Sequence, residues 1–197
     1  VMFAAVFPAV IGTGEDGLKG QELAKASIEA GMEHVHLTYV VATIGGLAMM
    51  GMFLGYTLWA RLLQGDDKKG NALVVIAAIA MPVAAAGMMM SMDFNFAAMN
   101  AWDKGDTSSA LILGAVSEYS GADYLWMFLM ISVGLIGLAT VLQVTDKVSR
   151  VIGGILGVVT LVMFVGWFST IEALDFVWMI WMAATVAAGV NLIRQKA

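Results

Sequence analysis

The sequence predicts an all-α, polytopic integral membrane protein: a bundle of five to six transmembrane helices with one short amphipathic helix at the surface. Hydrophobic residues make up 60% of its 197 residues and charged residues 13%, about half the charge of a soluble domain. The charges cluster in short segments between long apolar stretches. The stretch at residues 36–60 carries no Asp, Glu, Lys or Arg. As a helix it is about 37 Å long, enough to cross a hydrocarbon core of roughly 30 Å.

The apolar stretches divide one predicted membrane domain of residues 1–197 into spans. We expect these at residues 1–13 (partial), 36–60, 71–92, 124–145, 151–171 and 176–193. The first is too short to cross a membrane, which favours the end of a truncated span. A signal-sequence remnant and a complete interfacial segment are the alternatives.

The polar segments predict the connections between these spans. Apolar residues recur at helical spacing within residues 14–32, which predicts an amphipathic helix on the membrane surface or against the next span. Residues 93–123 are expected to form the longest polar connection, with residues 94–102 as a re-entrant or interfacial helix. Pro82 is expected to kink the span that contains it.

Charge predicts the topology, because cytoplasmic loops are rich in Lys and Arg. Turns 61–70 and 146–150 and the C-terminus, if all cytoplasmic, hold seven of the ten basic residues. Twelve of the fifteen acidic residues then lie on the opposite, outer face. This alternation predicts a multi-pass protein of the cell membrane. The acidic outer face favours cations or a basic partner, although a solvated face is the simpler interpretation.

The two histidines and nearby carboxylates suggest a metal site. Glu33, His34 and His36 lie together before the span at 36–60, and Asp93 follows the next one. Histidines two apart diverge on a helix but share a face in extended chain, where they would bind copper or zinc. Haem with one His and one Met ligand is a further alternative. Interfacial histidines without a ligand are the simpler interpretation.

Two other sets of residues have a chemical and a structural interpretation. Methionines at 88, 89, 90, 92 and 99 have thioethers that bind Cu(I), but flexible apolar packing is the favoured interpretation. The carboxylates of Asp93, Glu172 and Asp175, with Glu33, suggest a cation or proton site, but they are expected near the outer rim, where water reaches them. No Asp, Glu, Lys or Arg is expected at the midplane of a span. The amides of Gln143 and Asn191 lie near the predicted inner ends and add little to any site.

Glycine spacing predicts close helix packing. A GxxxG motif occurs at residues 51–55 and again at residues 153–157. Glycines four residues apart let two helix backbones approach, within one chain or between subunits.

Together these patterns favour a non-catalytic membrane subunit of a larger complex, for example a respiratory or other oxidoreductase complex. It would pack against partner helices, membrane lipid or an apolar cofactor, as part of a hetero- or homo-oligomer. One alternative is a small transporter, channel or substrate-binding module that opens to the outer face. Another is a metal-dependent membrane enzyme using His34, His36 and Glu33. No phosphate loop, dinucleotide fingerprint or basic patch for nucleic acid occurs in the chain.

Overall fold

The computed structural model describes residues 20–119, 122–167 and 175–196. These residues form seven α-helices and no strand. In chain order the helices are α1 (Gln21–Glu33), α2 (Val35–Leu63), α3 (Asn71–Asp103), α4 (Thr107–Tyr119), α5 (Ala122–Gln143), α6 (Lys147–Trp167) and α7 (Asp175–Lys196). The all-helical prediction is therefore confirmed for the described part of the chain. The predicted partial span at 1–13 lies outside it.

Four helices are long and apolar enough to cross a membrane. They cover Val35–Leu63, Asn71–Asp103, Lys147–Gly166 and Val177–Arg194. Among the described residues, Met127–Gln143 of α5 and Thr107–Ser117 of α4 are apolar but shorter than these four. These apolar helices indicate a membrane protein. The count of five to six spans and their sidedness stay predictions.

Helix α3 differs most from its prediction. It continues without a break from Asn71 through Pro82 to Asp103, so residues 94–102 are its last turns and not a separate helix. At 33 residues it is about 50 Å long. It ends in a Schellman motif: Gly105 has a φ of +79°, and the N–H groups of Gly105 and Asp106 donate to Trp102 O and Ala101 O.

The chain divides into two compact units, Val1–Met50 with Ala85–Leu125 and Gly51–Ala84 with Trp126–Ala197. Both α2 and α3 therefore contribute residues to each unit. The expectation of a single membrane domain stays a prediction.

In the first unit α1 packs on α4. Ala24, Ile28 and Gly31 form the buried face of α1, as the predicted amphipathic pattern requires. Gly114 of α4 admits this approach, since a Cβ built there would lie 3.0 Å from Ala24 Cβ. The small core at this contact contains Ile28 of α1, Ala98 of α3 and Ala110 of α4.

In the second unit α5 and α6 touch through their backbones. A Cβ built on Gly137 would lie 2.6 Å from Gly153 O and 2.9 Å from Gly157 N. A Cβ on Gly153 would likewise lie 2.9 Å from Gly137 O, so Gly137 and Gly153 are the glycines that permit this crossing. Of the two arrangements that the sequence left open for residues 153–157, the structure has the contact within the chain.

An aromatic row connects α2 and α7 in the same unit. Trp178 stacks on Trp181, Trp181 on Tyr56, and Tyr56 on Trp59, with ring centroids 5.0, 6.4 and 6.2 Å apart. Thr185 donates its only hydroxyl hydrogen to Trp181 O, so Tyr56 donates in the 2.6 Å bond between the Tyr56 and Thr185 hydroxyls. These contacts make α7 an integral part of this unit.

Candidate functional sites

The residues of the predicted metal site lie around the corner between α1 and α2. Glu33 is the last residue of α1, His34 separates the helices, and His36 lies in the first turn of α2. All three side chains are exposed, as is that of Asp93 in α3. Thr38 fixes this corner by donating its hydroxyl hydrogen to Gly31 O at 2.9 Å.

The structure does not bring these residues together as a ligand set. Within residues 20–119, 122–167 and 175–196, no three side chains of His, Cys, Asp or Glu come close enough to hold a metal ion. Binding of one ion by both histidines requires extended chain at residues 34–36. His36 instead lies in the first turn of α2. Among the predicted rim carboxylates, Glu172 lies outside the described residues, and the side chain of Asp175 is not described.

The methionines of α3 point in different directions and contact glycines of neighbouring helices. A Cβ built on Gly31 would lie 3.3 Å from Met99 Cε, and one built on Gly46 would lie 3.1 Å from Met92 Cε. Met88 is buried and Met90 is exposed. This placement suits the packing interpretation, since flexible thioethers fill the space that the glycines leave.

The first GxxxG motif lies on an exposed face of α2. A Cβ built on Gly51 or on Gly55 would meet nothing within 4 Å. Leu54 and Leu58 flank the two glycines and are also exposed. We call Gly51, Leu54, Gly55 and Leu58 the glycine face of α2. It is smooth and apolar, and it packs against no described part of this chain.

A polar cavity of about 170 Å³ lies in the second unit, lined by Trp59, Thr140, Ser149 and Asn191 among apolar side chains. Asn191 Nδ2 donates to Ser149 Oγ at 2.8 Å, and Ser149 Oγ donates to Asp146 Oδ2 at 2.8 Å. At roughly 30 Å³ per water, the cavity accommodates on the order of five water molecules. It is a small polar cavity next to the N-terminus of α6.

A second cleft, of about 330 Å³, lies between the turn that joins α2 to α3 and the C-terminal end of α5. Lys68 and Lys69 line it together with Gln143 and aliphatic side chains. Both polar atoms of the Gln143 side chain are buried and have no hydrogen-bond partner within the described residues. A buried amide without partners is unfavourable, which makes this cleft the least satisfied polar site described.

Gln143 and Asn191 have larger structural roles than their positions in the sequence indicated. Asn191 connects α7 to the start of α6, and Gln143 faces a basic cleft. The available signal was the residue type itself, since an amide near the end of an apolar helix needs a partner that the helix does not supply.

Comparison of the chain with protein-family models, with curated proteins and with solved structures gives no match.

Proposed function

We propose that the protein is a non-catalytic integral membrane subunit of a larger complex, and that the glycine face of α2 packs against a transmembrane helix of another subunit. The observation that carries this proposal is the contrast between the two GxxxG motifs. The motif at 153–157 is occupied by α5, whereas nothing in the described chain occupies the motif at 51–55.

Energetics favour a partner at this face. A glycine inside a helix costs roughly 1 kcal/mol relative to alanine, so Gly51 and Gly55 together cost about 2 kcal/mol. Contacts within the described chain do not offset this cost, because both positions are open. Between membrane helices such positions permit close backbone packing, which supplies dispersion contacts that larger side chains would block.

Gentle extraction from the native membrane, followed by native mass spectrometry, tests the proposal. We expect other chains to co-purify in a fixed ratio, and the double variant Gly51→Leu/Gly55→Leu to lose them while its helix content stays unchanged. Gly189→Leu is the matched control, since Gly189 is an exposed helical glycine with equally open surroundings.

Purification of the natural chain alone as a stable, active monomer would contradict the proposal. Retention of all partners by the double variant would contradict the role of the glycine face. The chain has no cysteine, so Leu58→Cys also gives a single crosslinking site, and crosslinking to itself would identify the partner as a second copy.

A further inference from the structure

The cleft beside the turn between α2 and α3 combines features of an anion site with features of a lipid site. We call residues 61–70 the basic turn and the 330 Å³ cleft beside it the basic cleft. Lys68 and Lys69 line the basic cleft, and no carboxylate does. Asp66 and Asp67 belong to the same turn and, like the two lysines, are exposed, but they do not line the cleft. The lining therefore carries a local positive charge.

Hydrogen bonds fix the basic turn. Gly65 N–H donates to Asn71 Oδ1 at 3.0 Å, and Lys68 N–H donates to Gly65 O at 2.9 Å. Gly70 has a φ of +77°, a conformation that favours glycine. A Cβ built there would lie 3.2 Å from Leu142 Cδ1, so the turn rests directly on α5. The two lysines are thus carried by a defined backbone and not by a loose loop.

The polar groups of the basic cleft retain unused hydrogen-bonding capacity. Lys68 Nζ donates one bond to Leu62 O at 3.1 Å, and an ammonium group has three hydrogens to donate. Gln143 Nε2 and Oε1 are buried and find no partner in the described chain. A ligand with several anionic oxygens would accept hydrogen bonds from the lysines and from Gln143 Nε2.

The remaining lining is apolar and continues onto the surface of the helices. Leu62 and Leu142 line the basic cleft and are also exposed on α2 and α5. A free phosphate ion would leave this apolar wall unused, whereas the acyl chains of a lipid would cover it. Basic pockets between membrane helices are known sites for anionic lipid head groups.

From these observations we propose that the basic cleft binds the phosphate of an anionic phospholipid. The phosphate lies against Lys68, Lys69 and the Gln143 amide, and the acyl chains follow Leu62 and Leu142. This inference does not depend on the proposed role of the glycine face.

Lipid titration of the full chain in detergent, followed by native mass spectrometry, tests the proposal. The probes are dioleoylphosphatidylglycerol, zwitterionic dioleoylphosphatidylcholine and inorganic phosphate. We expect at least tenfold tighter binding of phosphatidylglycerol than of phosphatidylcholine. The variant Lys68→Gln/Lys69→Gln should lose at least tenfold in affinity for phosphatidylglycerol. Lys147→Gln/Arg150→Gln removes the same charge from a different turn, and it should lose less than twofold.

Gln143 provides an independent arm of the test. Gln143→Leu keeps the approximate volume but removes the amide, and Gln143→Glu adds a negative charge; both should weaken phosphatidylglycerol binding, the second more strongly. If Gln143→Leu fails to fold, Gln143→Glu still gives the decisive readout.

Equal binding of phosphatidylglycerol and phosphatidylcholine would overturn the proposal, as would an equal loss of affinity in Lys147→Gln/Arg150→Gln. Displacement of the lipid by millimolar inorganic phosphate would identify a free-anion site and overturn it as well.

Discussion

At the scale of single residues, Asp146 is the clearest electrostatic element outside the apolar helices. It caps α6: Ser149 N–H and Ser149 Oγ–H both donate to Asp146 Oδ2 at 2.8 Å. These two hydrogen bonds hold the pKa of the Asp146 carboxyl below its usual value. A lowered folded-state pKa means that the cap stabilises the fold above the unfolded-state pKa and loses this effect as pH falls through the folded-state pKa.

Asp146→Asn should therefore remove the pH dependence that this cap contributes below about pH 4, because asparagine caps a helix without titrating. The measurement is thermal unfolding in detergent between about pH 2 and pH 6 for both proteins. Asp67→Asn, which removes an exposed carboxylate from another turn, is the control and should keep the natural pH dependence. An unchanged profile in Asp146→Asn would contradict the role of the cap.

Among single residues, helical periodicity predicts burial better than residue type predicts a binding site. The spacing of apolar residues within 14–32 predicts an amphipathic helix, and Ile28 and Gly31 lie on the buried face of α1, because burial follows directly from helical periodicity. For Glu33, His34, His36 and Asp93 the sequence allows a metal site beside the simpler interpretation of histidines without a ligand, and within the described residues no three of these side chains come close enough to hold a metal ion. Convergence depends on the backbone at residues 33–36 and on packing between helices, and neither can be derived from residue type and spacing.

At the scale of elements, the two GxxxG motifs show what spacing can and cannot predict. Spacing identifies helices whose backbones can be approached, but it does not say which helix approaches. Helix α3 gives a second example. Hydropathy indicated a boundary near Met92, yet the helix continues to Asp103 with Asp93 exposed and Ala98 buried. Hydropathy reports a change of environment, whereas the helix ends where Gly105 adopts a positive φ.

The contact of α5 with α6 predicts that replacing a glycine by alanine destabilises the protein at Gly153 but not at Gly189. In Gly153→Ala the new Cβ would lie 2.9 Å from both Gly137 O and Thr140 Cβ, so the helices must separate. Overpacking of this kind costs about 1–3 kcal/mol. In Gly189→Ala the Cβ meets nothing within 4 Å, and alanine's higher helix propensity applies.

Thermal unfolding of the two purified variants measures this difference. The melting temperature of Gly153→Ala should fall, and that of Gly189→Ala should stay the same or rise. Equal melting temperatures would mean that the α5–α6 crossing does not have the backbone contact described.

At the scale of the whole molecule, the apolar helices and the positive charge have to agree on one topology. The basic turn, the start of α6 and the end of α7 carry seven of the ten basic residues, and the positive-inside rule predicts that they lie together in the cytoplasm. Helix α3 starts directly after the basic turn and is long enough to cross. The Gly105 turn that follows it should then lie on the opposite side of the membrane.

Because the chain contains no cysteine, single-cysteine variants test this topology without background. Asp67→Cys and Lys147→Cys should react with a membrane-impermeant maleimide only after the cytoplasmic side is opened, and Lys104→Cys should react in intact cells. All three positions are exposed turn or helix-end residues, so poor reactivity would reflect sidedness and not burial. Labelling of Lys104→Cys from the same side as Asp67→Cys would show that α3 does not cross. The topology predicted from charge and the assignment of α3 as a membrane span would then both be wrong, because both require Asn71 and Asp103 to lie on opposite sides.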